Sequence, residues 1–394
     1  MRDVAIVGAG MVRFGKHNDT SFVDLAAKSS LRALEDARMS ERDVDALYMA
    51  SLFAGELNHQ VATASALADS LALLPAAANR VENGPASGGS AIREAYMAVA
   101  SGVHDTVLVT GCDKMRHVSG ALITDYVATM AHPIAEYPHG VTLPSLAAML
   151  ARLYMHKYGM ERKHLAMVAV KNQKNGVQNP YAHIQQEVTM DGILYAPEAE
   201  MNNPLVSDPL RLYDCCPISD GSASVVICAA EKAKEFTDTP VILAGIGQGT
   251  DTLAVHERED PTILNSVRVA SKQAFERAKL TPKDISFAEL HDAFSILEIV
   301  ESEDAGFFEK GKGFKALEEG ITQKDGKFPI NPSGGLKARG HPVGATGVAQ
   351  AAEITWQLQG EAGGKQINGA ETAYCCNFGG FGNNVTALVM KRKN

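Results

Sequence analysis

Three short segments in the second half of the chain carry residue types that do acid–base and thiol chemistry. The longest is Asn331-Pro332-Ser333-Gly334-Gly335-Leu336-Lys337-Ala338-Arg339-Gly340-His341-Pro342-Val343-Gly344-Ala345-Thr346-Gly347. Its glycines and prolines constrain a loop around one imidazole. Helix-type apolar spacing follows through Ala351, Ile354 and Leu358, which sets His341 near a helix N-terminus. The positive end of the helix dipole disfavours imidazolium there, so a neutral base is the chemistry expected. In Glu289-Leu290-His291-Asp292-Ala293-Phe294-Ser295 an apolar run from Ile285 delivers a His-Asp pair to a strand end. Ligands of open α/β sheets sit at such carboxyl ends. An imidazole there can donate a hydrogen bond to an oxygen that gains charge. In Cys375-Cys376-Asn377-Phe378-Gly379-Gly380-Phe381-Gly382-Asn383-Asn384 a thiol sits on a glycine-rich turn that lets backbone and substrate approach closely. Its thiolate would need a nearby imidazole to lower its pKa. Each segment alone has a blander reading: a capping histidine, a satisfied structural histidine, a buried inert thiol.

The elements around these segments alternate strand and helix. Val4-Ala5-Ile6-Val7 is an apolar run ending in Gly8 and Gly10, and 22–37 follows with helical spacing at Leu25, Ala26, Leu31 and Leu34. Val107-Leu108-Val109 is another buried-strand run, closed by Gly111. The alternation predicts an α/β fold. The chain also repeats itself. Ala33-Leu34-Glu35-Asp36-Ala37-Arg38-Met39-Ser40 aligns without a gap on Ala274-Phe275-Glu276-Arg277-Ala278-Lys279-Leu280-Thr281, and Val4 to Gly10 resembles Val241 to Gly247. Both copies read as a strand, an amphipathic helix, a Ser or Thr cap and a turn. Two similar halves are therefore expected, 1–240 and 241–394. The stretch at about 115–205 has no counterpart and reads as an insertion over one face.

Composition narrows the function classes. With 37 Lys+Arg against 46 Asp+Glu in 394 residues the net charge is −9, and no basic run exists to neutralise phosphates, so nucleic acid is not an expected partner. No stretch reaches the roughly 20 apolar residues of a membrane span. The N-terminal residues run straight into a strand pattern and lack a secretory leader's layout. Six cysteines are too few for a disulfide framework, and the adjacent pairs Cys215-Cys216 and Cys375-Cys376 have the wrong spacing for zinc. A reducing, cytoplasmic setting is expected. Gly8-Ala9-Gly10 hints at a dinucleotide loop, but Arg13 stands where a third glycine belongs.

Taken in chain order, the His291, His341 and Cys376 segments resemble the thiolase superfamily, most closely its archaeal and sterol-carrier-protein-linked branch. Phe53-Ala54-Gly55-Glu56, Gly111-Cys112-Asp113-Lys114-Met115 and Asp214-Cys215-Cys216-Pro217-Ile218-Ser219-Asp220-Gly221 match as well, and the likeness spans essentially the whole chain. The resemblance implies a five-layered α/β/α/β/α fold of two βαβ-rich halves, with 115–205 as a loop domain over the active site. It implies acyltransferase chemistry on acyl-CoA, with coenzyme A as substrate and no metal or redox cofactor. It gives His341 the activation of a nucleophile or thiol, His291 an oxyanion hole and Cys376 proton exchange at C2. Asn331 would hold an oxyanion-hole water, and Ser333, Gly334 and Gly380 would lie against CoA. It also implies a homodimer or larger core and a small zinc-ribbon/OB-fold partner protein.

One departure changes the chemistry. Family members carry the acyl-accepting Cys in a segment like Val-Glu-Asn-x-Cys-Ala-Ser-Gly; here it reads Val81-Glu82-Asn83-Gly84-Pro85-Ala86-Ser87-Gly88, and no cysteine precedes Cys112. Proline suits the first turn of a helix but offers no nucleophile. Three readings follow. The chain cleaves or forms 3-ketoacyl-CoA by another route, with a bulky or aromatic acyl group compatible with the Met, Tyr and Leu of 115–205. Alternatively it is a retro-aldolase acting on a 3-hydroxyacyl-CoA, which needs no acyl-enzyme. Or it is a non-catalytic acyl-CoA-binding subunit. Ser87 is a weak substitute nucleophile, two residues further on.

Overall fold

In a computed structural model, which describes residues 2–393, the apolar runs form strands buried on both faces. The strands are β1 (Val4–Met11), β2 (Ala46–Ala50), β3 (Ala77–Val81), β4 (Thr106–Asp113), β5 (Leu205–Ser207), β6 (Leu210–Arg211), β7 (Gly221–Ala229), β8 (Val241–Thr250), β9 (Phe287–Glu289), β10 (Thr372–Gly379) and β11 (Asn384–Arg392). Nine of them run in the order β3-β2-β4-β7-β1-β8-β11-β10-β9, and β5-β6 is a separate ribbon. The first five belong to the N-terminal half and the last four to the C-terminal half. The two half-sheets are paired through Ala5↔Ile242 and Ile6↔Val241.

Helices cover both faces of each half-sheet, as strands buried on two sides require. Helix Phe22–Asp36 packs on β1, β4 and β7, and helix Asn265–Ala278 on β8 and β11. Helices Ser87–Ser101 and Thr346–Gln359 fill the layer between, and their Ala91, Ile92, Ala95, Val348, Ala352 and Ile354 share one core with inner-face strand residues. This gives the α/β/α/β/α layering. The repeat is structural in detail. A Cβ on Gly8 would lie 2.4 Å from the Ala33 carbonyl oxygen, and one on Gly245 2.0 Å from that of Ala274. The first-strand glycines thus let each helix lie against its sheet, and Gly8-Ala9-Gly10 is a packing motif. Both copies then turn through a left-handed residue, Arg38 and Lys279, into capping boxes Ser40/Asp43 and Thr281/Asp284.

The insertion runs from the end of β4 to the start of β7, about fifteen residues beyond the expected limit of 205. It holds helices Gly120–Ala128, Leu143–Tyr158 and Arg162–Val177 and the β5-β6 ribbon. The last two of these helices pack on helix Ser295–Asp304 of the second half.

Candidate active site

Two loops from the second half are locked together under one cavity. After β9 the chain turns because Leu290 N–H donates to Asn331 Oδ1 (2.8 Å) and His291 N–H donates to Glu301 Oε2 (2.9 Å). The Asp292 carboxylate then accepts from Leu336 N–H (2.6 Å), Lys337 N–H (3.4 Å) and Asn172 Nδ2 (2.7 Å). It therefore caps the first turn of helix Gly335–Arg339, where unpaired N–H groups attract an anion. Gly335 must lack a side chain, since a Cβ would lie 2.5 Å from that carboxylate. The chain reverses at Gly340 (φ 103°) and presents His341. Beyond it, Gly344 N–H donates to Asp113 Oδ2 (2.7 Å), whose carboxylate also holds Ser51 Oγ and the N–H groups of Leu52 and Phe53. Burial raises the Asp113 carboxyl to about 6, against these four donors that favour its ionised form.

The two imidazoles meet edge to face, with ring centroids 5.0 Å apart. His291 stacks on Phe378, 5.2 Å away and nearly parallel. Asn377 Nδ2 (3.3 Å) and Phe378 N–H (3.4 Å) converge on His291 Nδ1. Gly89 N–H donates to Asn377 Oδ1 (3.1 Å), which fixes the amide this way round. His291 Nδ1 is thus an acceptor, and the ring hydrogen sits on Nε2. His341 has the opposite tautomer. Its Nδ1 lies 2.7 Å from Thr346 Oγ1, whose own hydrogen goes to the Pro342 carbonyl oxygen (3.1 Å). Nδ1 must therefore donate, and Nε2 is a bare lone pair. Burial, then the Arg339 guanidinium, holds His341 down to about 3; burial, His341 and Arg339 hold His291 well below its usual range. One neutral ring is a base and the other a hydrogen-bond donor.

Both rings line a cavity of about 430 Å³ whose remaining wall is mainly apolar, including Met115, Ile123, Met130, Leu143, Phe294 and Phe381. Pro85 lies on that wall just before helix Ser87–Ser101, and it brings neither a thiol nor an N–H. Ser87 is no substitute: its Oγ is buried, donates to the Gly84 carbonyl and accepts from Asn83 N–H. Cys215 and Cys216 also line the cavity.

Of the expected site residues, the structure brings His291, His341 and Gly380 to the cavity. Four others lie elsewhere. Cys376 is fully buried and is not among the residues that line the cavity; it shares a face of β10 with Tyr374, and burial and Glu301 push its thiol up. Asn331 is fully buried and spends its side chain on Leu290 N–H and Glu298 Oε2, so it positions the His291 loop. Ser333 is tied to the Glu289 carboxylate through Oγ (2.7 Å) and N–H (3.0 Å), inside the protein. Gly334 packs on Gly176, where a Cβ would come within 2.7 Å of backbone. Asp113, Phe378, Asn377 and the two cavity cysteines carry no sequence pattern of their own that marks them as site residues. Their signal was present only as membership of matching segments.

Comparison with known proteins agrees with this fold. Residues 4–231 match the family model described as Thiolase, N-terminal domain, and residues 247–392 the one described as Thiolase C-terminal domain-like. The chain is 47% identical over 392 residues to acetyl-CoA acetyltransferase of Methanothermobacter thermautotrophicus, covering 100% of both. It is 31% identical over 370 residues to benzoylsuccinyl-CoA thiolase subunit BbsB of Thauera aromatica, covering 93% of this chain and 91% of that one. Among solved structures, "Ltp2-ChsH2(DUF35) aldolase" superposes with a TM-score of 0.85 at 24% identity, over 99% of this chain and 97% of that one.

Proposed function

The chain belongs to the thiolase superfamily of acyl-CoA enzymes, and from that premise we propose that it breaks or makes the C2–C3 bond of an acyl-CoA without a covalent acyl-enzyme. The observation that carries this is the pair of neutral imidazoles of opposite tautomer beside Pro85. For a 3-ketoacyl-CoA, His341 Nε2 takes the proton of a free CoA thiol, and the sulfur attacks C3. The C2–C3 bond breaks, and the electrons pass onto the thioester oxygen of the departing acyl-CoA. His291 Nε2–H donates to that oxygen. A positioned base contributes about 10²–10⁴ in rate and an oxyanion donor about 10²–10³.

A second reading uses the same two groups. In a retro-aldol cleavage His341 takes the proton of a 3-hydroxyl group, and the products are an acyl-CoA and a free aldehyde or ketone. It needs no second thiol in the cavity, which suits a site with proline at position 85. The fold accommodates such chemistry, since a solved neighbour is described as an aldolase.

The apolar wall supports a bulky or aromatic acyl group, as does the relative named for benzoylsuccinyl-CoA. Val206, Leu212 and Ile218 line the cavity and are 46%, 50% and 36% exposed. That apolar rim supports a small zinc-ribbon/OB-fold partner seated over the entrance. β3 is an exposed edge strand paired on one side with β2, which supports a homodimer built through the first half-sheets. A cytoplasmic location completes the proposal.

The test is turnover of a panel of 3-keto- and 3-hydroxyacyl-CoAs, including benzoylsuccinyl-CoA, with and without CoA and with any partner that co-purifies. A second thioester formed only with CoA identifies thiolysis; a free carbonyl without CoA identifies retro-aldol cleavage. No turnover of any member, with the partner present, refutes the proposal and leaves an acyl-CoA-binding subunit.

A further inference from the structure

Cleavage leaves an electron pair at C2, and that carbon must gain a proton. Neither imidazole is placed to give it. His291 keeps its hydrogen on Nε2 for the thioester oxygen, because Nδ1 is occupied as an acceptor. His341 acts on the C3 side, on the hydroxyl or thiol proton. Cys376, the thiol that the resemblance assigns to C2, is fully buried against Tyr374 and Glu301 and is not among the lining residues.

Among the described residues on the cavity wall, three others carry a transferable proton: Thr124, Cys215 and Cys216. The Thr124 hydroxyl donates to the Gly120 carbonyl (2.9 Å), and an alkoxide is far too basic to be left behind. The Cys215 thiol is turned to the Arg211 carbonyl (3.7 Å). Cys216 is anchored through its N–H to the Ala293 carbonyl (2.9 Å), two residues after His291, and it lines the cavity.

We propose that Cys216 is the acid that protonates C2, an assignment that rests on the carbon–carbon bond chemistry proposed above. The S–H bond breaks as the C2–H bond forms, and the thiolate is reprotonated through the cavity from His341 imidazolium. The proton that left the hydroxyl or thiol thereby ends on C2, with no other reactant. Burial, partly countered by Lys337, pushes the Cys216 thiol up to about 12, so it waits as a proton donor and not as a nucleophile.

Deuterium incorporation into the methyl group of acetyl-CoA in D2O isolates this step from cleavage. Wild type should exchange, Cys216→Ser and Cys216→Ala should lose the exchange about a hundredfold, and Cys376→Ala should retain it. Circular dichroism of each variant reports folding, and the isosteric serine guards against a cavity effect. Exchange at the wild-type rate in both Cys216 variants overturns the assignment while leaving the C2–C3 chemistry standing. So does loss of exchange in Cys376→Ala alone. A wild-type enzyme that neither exchanges acetyl-CoA nor cleaves any panel member overturns both.

Discussion

Lowering the pH from 8 to 5 should leave kcat/KM nearly flat, because burial and Arg339 hold His341 down to about 3. An imidazole titrating at the usual 6.5 would be about 97% protonated at pH 5, and a base of that kind would lose about thirtyfold. With a value near 3 the protonated share at pH 5 is only about 1%. Stability has its own pH dependence, and its sign must be kept apart. The unfolded chain protonates its histidines below about 6.5, whereas folded His341 and His291 stay neutral, so protons favour unfolding as the pH falls through that value. At about 1.4 kcal/mol per unit, His341 alone removes about 2 kcal/mol by pH 5. Asp113 and Glu289, raised by burial to about 6 and about 7, act in the opposite sense. The folded chain binds their protons first, so each adds stability as the pH falls through its folded value. The assay is kcat/KM at constant ionic strength after brief exposure to each pH, with circular dichroism on the same samples. A folded enzyme that loses tenfold per unit below about pH 6.5 would refute the neutral, buried base.

Three other outcomes are expected. Pro85→Cys places a thiol on the cavity wall beside the N-terminus of helix Ser87–Ser101; it should gain iodoacetamide labelling at position 85, read by peptide mass spectrometry, and failure to label would put that position off the cavity. Gly111→Ala adds a Cβ 2.5 Å from the Gly344 carbonyl and 2.7 Å from Ala345 Cα; thermal unfolding should show about 1–3 kcal/mol lost, together with lower kcat from a displaced His341 loop. Asn331→Ala strips partners from Leu290 N–H and Glu298; denaturant unfolding should show about 2–3 kcal/mol lost, and an unchanged stability would return Asn331 to the list of cavity residues.

Much of the fold was legible because it is written twice. The paired strand-helix-cap segments give the two halves, and the glycine-on-helix contacts explain why both copies keep those glycines. The imidazoles were legible because glycine- and proline-rich loops limit where a side chain can go. Side chains alternate along β10, so Tyr374, Cys376 and Phe378 share one face and Cys375 takes the other. Phe378, nearer the strand end, lines the cavity. Which of these residues reaches the cavity depends on helices far away in sequence. Asn331 and Ser333 have the residue types of a binding loop, but backbone N–H groups and buried carboxylates compete for the same atoms. Asp113 showed only as part of a matching segment, since its partner Gly344 is 231 residues away.

That last distance has a consequence for biosynthesis. At about 5–20 residues per second, a ribosome takes roughly 10–50 seconds to travel from Asp113 to Gly344. For that interval the carboxylate that seats the His341 loop has no loop to seat. The layer between the sheets is likewise half built, with helix Ser87–Ser101 made and helix Thr346–Gln359 still to come. The N-terminal half therefore emerges with an apolar face that its sister half later covers, and the active site is among the last parts of the molecule to come into being.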